Sequence, residues 1–132
     1  MAVKIDIQQT IIPVEMGDLT FYFDMGDTSM KGVFKTFRGL IDEALAVEKT
    51  EDELEAMTSE ELDKFNEESK AFCKKALDYL LGNGAFEKLY ALSPSTTILV
   101  GYFHAVVDGL GEEIARRNGM EKATKYMGPV GQ

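Results

Sequence analysis

Residues 76–119 read ALDYLLGNGAFEKLYALSPSTTILVGYFHAVVDGLGEEIARRNG, and the fold turns on whether the second half of this stretch is strand or helix. Gly82-Asn83-Gly84 is a helix stop, because Gly and Asn can take the left-handed conformation that releases the chain. Ser93-Pro94 is a start: the Ser93 hydroxyl can cap free N–H groups, and Pro94 suits a first turn, where its missing donor costs nothing. Beyond it Thr96, Thr97, Ile98, Val100, Val106 and Val107 are β-branched, which argues for a strand. Yet Ile98, Leu99, Tyr102, Phe103, Val106, Val107 and Leu110 keep a three-and-four spacing, and Arg116-Arg117 followed by Asn118-Gly119 makes a basic helix end and a stop. Spacing and flanks together predict a helix. Its middle is apolar nearly all round, so it is either central to the monomer core or shared with another copy.

Working upstream, Leu62, Phe65, Phe72, Cys73, Ala76, Leu77, Leu80 and Leu81 form the apolar stripe of a long helix from about Ser59 to Leu81. Two capping boxes precede its body, Thr50 with Glu53 and Thr58 with Glu61, which mark a short acidic turn and then the long helix. A short helix over residues 85–91 would bury Phe86, Leu89 and Tyr90. Further upstream, Asp27 or Thr28 can cap a helix whose face is Met30, Val33, Phe34, Phe37, Leu40, Ile41, Ala44 and Leu45. Gly32 and Gly39 weaken it by about 1 kcal/mol each relative to Ala, so its stability must come from burying that face.

At the N-terminus the period changes from helical to alternating. Val3, Ile5 and Ile7 alternate with Lys4 and Asp6, the pattern of a half-buried strand. A second strand runs from Ile11 to Met16. Gly17-Asp18 is a two-residue turn, after which Leu19, Phe21 and Phe23 face one way and Thr20 and Tyr22 the other. This is a hairpin, and Pro13, lacking a ladder donor, belongs at a sheet edge. The expected fold class is therefore α+β, mainly α: an N-terminal β-hairpin or small antiparallel sheet over residues 1–24, then a bundle of about four helices over 28–119. Residues 1–119 form one domain, with 120–132 a loosely ordered tail containing Gly128-Pro129.

Composition limits the function classes. A chain of 132 residues is long enough to bury a core without metal or disulfide staples. Its single cysteine, Cys73, cannot form an intrachain bridge and suits a reducing compartment. The longest apolar run, residues 98–107, is too short to span a bilayer and is interrupted by His104, and no signal-peptide pattern opens the chain. Cytoplasmic localisation without membrane association is expected. Net charge is −9. Residues 48–68 hold ten acidic side chains against Lys49 and Lys64, a local balance of −8. That field repels phosphate backbones, so nucleic acid is not an expected partner, whereas basic proteins are attracted. As a structural feature the run reads as a solvated helix face.

Candidate chemistry is sparse. His104 is the single histidine, and Asp108 one turn later suits a helix-surface ion pair or hydrogen bond. Cys73 falls on a buried stripe, where a thiol behaves as a small hydrophobe. One His and one Cys do not supply the usual zinc ligands. Ser93 and Ser95 serve better as caps than as nucleophiles. Asp24-Met25-Gly26-Asp27 lacks the alternating acids and distal glutamate of a calcium loop, and reads as a turn into a helix cap. Gly82 to Glu87 lacks the third glycine and the preceding parallel strand of a dinucleotide site. Glu112 and Glu113 are adjacent on a helix and diverge by about 100°. No catalytic, cofactor or metal residues are therefore assigned, and a non-enzymatic protein is expected.

The order of elements carries more information. A hairpin ending in Phe21-Tyr22-Phe23-Asp24, an acidic helical middle, then ALDYLLGNGAFEKLYALSPS and FHAVVDGLGEEIARRNG resembles tail assembly chaperones of long-tailed, siphovirus-type bacteriophages and prophages of Gram-positive bacteria. The resemblance covers most of residues 10–119 and is carried best by residues 81–90 and by Ser93-Pro94-Ser95. It implies a binding protein that holds the helical tape measure protein soluble, helps recruit tail tube subunits, works in the host cytoplasm and leaves the finished virion. It also implies self-association, and in many such phages a second, frameshifted longer form, of which this chain looks like the short version. It assigns no binding residues. An acidic regulator that mimics nucleic acid and occupies a basic protein's groove is the alternative.

Overall fold

In the computed structural model, residues 2–5, 7 and 9–117 are described. Strands β1 (Ile11–Met16) and β2 (Leu19–Asp24) form an antiparallel hairpin, followed by helices α1 (Met30–Val47), α2 (Glu51–Glu55), α3 (Ser59–Leu81), α4 (Ala85–Leu92) and α5 (Thr96–Arg117). The fold is α+β and mainly α, as expected. The described residues hold five helices where about four were expected, the fifth being the five-residue turn that the first capping box starts. The predicted helix stop and tail from Asn118 onward lie outside the described residues.

The hairpin is closed by Gly17 at φ 59°, the left-handed value that the first position of a tight two-residue turn requires. Register pairs Ile12 with Phe23, Val14 with Phe21 and Met16 with Leu19, which puts their side chains on one face of the ribbon. That face meets the helices: Phe23 packs against Phe37 of α1 at 5.7 Å and against Tyr79 of α3 at 6.0 Å between ring centroids.

Helix α5 is the central element, and the open question about its apolar middle is answered in favour of the core. Leu99, Phe103, Val106, Val107, Leu110 and Ile114 are buried against α1, α3, α4 and β1. Phe103 meets Phe72 of α3 edge-to-face. Ile98, predicted as part of that stripe, stands 47% exposed, because one step along the helix turns it about 100° away from the core residue Leu99. Leu45 departs in the same way: it is 60% exposed, since the helical period has carried it past the face occupied by Ala44 and Leu40.

Two predicted starts shift by one or two residues. Ser29, rather than Asp27 or Thr28, caps α1, accepting from Gly32 N–H at 3.1 Å. Asp24 Oδ1 instead accepts from Gly26 N–H at 2.9 Å, and Thr28 N–H bonds Met25 O at 3.0 Å, so the preceding residues form the turn. Gly32 also has a packing reason: a Cβ there would come within 3.2 Å of Thr28 Cγ2 and 3.3 Å of Ser29 Oγ. Helix α5 begins at Thr96, with Ser95 Oγ accepting from Ile98 N–H at 3.3 Å, so Pro94 precedes the first turn. Ser93 Oγ instead lies 3.3 Å from the Tyr102 hydroxyl. Both capping boxes form as predicted.

The α3–α4 corner follows the glycines, Gly82 at φ 103° and Gly84 at φ 89°. Gly84 offers α4 no side-chain cap. Asp78 of α3 supplies it, with Oδ1 accepting from Phe86 N–H at 3.0 Å.

The remaining difference is at the N-terminus. Residues 2–5 and 7 form no strand, and Val3, Ile5 and Ile7 are 86%, 77% and 83% exposed. The alternation is present, but among the described residues the sheet that would bury one of its faces has only β1 and β2.

Candidate functional site

Among the described residues no chemical constellation dominates, and of the depressions in the surface two with apolar walls bear on function. The first is a cleft of about 360 Å³ where the end of α1, α2, α3 and the start of α5 meet. Val47, Leu54, Phe65 and Val100 give it apolar walls, while Asn66, Thr96 and Thr97 add polar groups. Ser69 lies at its base, 6% exposed, and its Oγ has no hydrogen-bond partner among the described residues. The charged residues that line it are Glu48 and Lys49. Glu51, Asp52 and Glu55 on α2 and Glu60, Asp63 and Glu67 on α3 are all exposed, so the acidic run read from the sequence faces solvent on the two helices that supply Leu54 and Phe65.

Two of the acids have local duties. Glu53 and Glu61 have carboxyls held below the ordinary value, because the main-chain N–H groups and then the hydroxyls of Thr50 and Thr58 hydrogen-bond their charged forms. They fix the helix starts and are less available to a partner than the other carboxylates.

The second depression is a groove of about 460 Å³ between β1 and α5. Ile12, Val14 and Met16 line one side, and Tyr102, Ala105, Val106, Gly109 and Leu110 the other. A Cβ on Gly109 would meet nothing within 4 Å. Arg117 closes one end, its Nη1 donating to the carbonyls of Gln9 and Ile11, each at 3.1 Å. Glu113 holds Arg117 from below, with Arg117 Nε 3.0 Å from its Oε2. Hydrogen bonds from Arg116 and then Arg117 lower the Glu113 carboxyl's pKa.

The residues singled out for chemistry are scattered. His104 Nε2 pairs with Glu48 Oε1 at 3.2 Å, 56 positions away, rather than with Asp108. Asp108 lines a separate groove with Arg38 and Glu112, while Glu113 faces β1, so the two adjacent glutamates do diverge. Cys73 is buried, and desolvation pushes its thiol up to about 11. Its Sγ lies 3.9 Å from Thr96 O. Among the described residues no three His, Cys, Asp or Glu side chains converge as a metal site, and no helix is long and apolar enough to cross a membrane. Sequence reading missed both depressions. The signal for the cleft was the apolar residues interrupting the acidic run, Leu54 and Phe65, and no local signal marked the groove. Comparison with family models, curated proteins and solved structures gave no match for this chain.

Proposed function

We propose that this chain is a tail assembly chaperone of a long-tailed bacteriophage or prophage of Gram-positive bacteria. It is a non-enzymatic protein that binds and solubilises the tape measure protein and helps recruit tail tube subunits. It acts in the host cytoplasm as a homo-oligomer and does not remain in the virion. The observation that carries the reading is the apolar cleft of Val47, Leu54, Phe65 and Val100, built in part by α2 and α3, the helices that carry the exposed acidic run. A tape measure protein presents long amphipathic helices, and a cleft of this size takes a few apolar side chains from one helix face. The exposed carboxylates of α2 and α3 favour a segment with flanking Lys or Arg and keep the complex in solution. The sequence resemblance over residues 10–119 supplies the identity of that partner.

Co-expression with the tape measure protein encoded alongside it tests this directly. The partner's soluble fraction should rise, a complex should elute from a sizing column, and Phe65→Asp should abolish both. A partner equally insoluble with and without this chain sinks the proposal.

A further inference from the structure

The groove beside β1 has the dimensions and chemistry of a missing strand. A two-residue turn makes Met16 and Leu19 the first hydrogen-bonded pair, so in the antiparallel alternation the main-chain groups of Met16, Val14 and Ile12 face β2. The bond from Met25 N–H to Thr10 O at 3.0 Å continues that parity. The groups of Ile11, Pro13 and Glu15 therefore face outward, over the groove. Ile11 O is taken by Arg117 and Pro13 has no N–H, which leaves Ile11 N–H, Pro13 C=O and both main-chain groups of Glu15 for pairing. An incoming strand gains few ladder bonds there, and most of its affinity must come from apolar side chains set down on α5.

The chain carries such a strand. Val3, Ile5 and Ile7 alternate and are the three most exposed large apolar side chains among the described residues. In antiparallel register residues 3–7 match the five residues 12–16 of the open edge, which sets Val3, Ile5 and Ile7 on the face of Met16, Val14 and Ile12, each stretch spanning roughly 13 Å at strand rise. Lys4, on the opposite face of the arm, comes to the side of the sheet where Glu15 is exposed, an attractive cross-strand pairing.

Arg117 ties down the chain where the arm leaves β1. One guanidinium nitrogen binds the carbonyls of Gln9 and Ile11, on either side of a bend at Thr10. None of Val3, Ile5 and Ile7 lines the groove beside its own β1. We propose that residues 3–7 of one copy add as a third strand along the open edge of β1 in a second copy, with Val3, Ile5 and Ile7 filling the groove over α5. The proposal stands apart from the cleft and from whatever partner the cleft takes.

Sedimentation of the full chain over a concentration series tests it. Wild type should self-associate. Ile5→Asp alters an exposed residue and Gly109→Trp fills the groove from α5, and each should weaken association by about tenfold or more with an unchanged far-ultraviolet circular dichroism spectrum. Mixing the two variants should restore a one-to-one dimer, since one retains the groove and the other the arm. A wild type that stays monomeric at every concentration overturns the proposal, whether its groove is open or filled in cis by its own arm or residues 118–132. Association that survives Ile5→Asp, or variants that fail to complement, overturns it equally.

Discussion

The rings of Phe72 and Phe103 meet edge-to-face, 5.2 Å between centroids and 80° between planes, and this contact joins the two longest helices at the centre of the core. Phe103 is fully buried. Phe103→Ala should therefore cost about 3–5 kcal/mol, and a double-mutant cycle with Phe72→Ala should return a coupling of about 0.5–1.5 kcal/mol. Denaturant midpoints measure both. A coupling near zero would mean that the rings contribute area alone.

Glycine-to-alanine changes should have opposite signs at two positions. Gly82 sits at φ 103° and ψ 155°, a region essentially closed to side-chain-bearing residues, so Gly82→Ala should destabilise by about 1–3 kcal/mol although nothing lies near its Cβ. Gly101 is exposed in the body of α5 and a Cβ there meets nothing within 4 Å. Gly101→Ala should stabilise by roughly 0.4–1 kcal/mol. Thermal unfolding of the two variants should bracket the wild type.

Ser69→Ala removes a buried hydroxyl that has no hydrogen-bond partner among the described residues. Stability should rise by about 1 kcal/mol, from the absent desolvation penalty and better helix propensity. A fall in the denaturant midpoint would show that the hydroxyl is satisfied in solution.

Acid should loosen the starts of α2 and α3. Glu53 and Glu61 titrate lower in the folded chain than their ordinary value of 4.5. Their contribution is therefore complete above that value and is lost as pH falls through the lowered folded values. Replacing both with Gln should flatten the decline of melting temperature in acid, while leaving its slope above neutrality unchanged.

The Cys73 thiol, raised to about 11 by burial, should resist labelling at pH 8 in the native chain and react at once in denaturant. Native labelling as fast as that of a free thiol would mean that the α3–α5 contact opens readily.

Local signals were the ones legible in the sequence. Thr50 with Glu53, Thr58 with Glu61, and Gly82 with Gly84 each act within four residues, and each takes its predicted part. Where several cap-competent residues stand together, as in Asp27-Thr28-Ser29 and Ser93-Pro94-Ser95, the start was placed one or two residues early, because the choice among them depends on the preceding turn. Contacts between distant positions left no local trace. Glu48 reaches His104 across 56 residues and Arg117 reaches Gln9 across 108. Both depressions depend on such contacts, since the groove needs α5 beneath β1 and the cleft needs α1, α3 and α5 together. The alternation of Val3, Ile5 and Ile7 was read correctly as a strand pattern, but a pattern states a preference and cannot supply the neighbouring strand.

The guanidinium of Arg117 also bears on the order of folding. Helices α3, α4 and α5 are joined by short connections, with Asp78 fastening the first corner, so they can assemble through nearby contacts. The bonds from Arg117 to Gln9 and Ile11 close the longest loop described in the molecule, and contacts of such separation form late because chain entropy must be lost before they are made. The hairpin is thus the last element to dock and the first to lift away. Its amides should exchange hydrogen sooner than those of α3 and α5, through an opening that leaves the helical body intact.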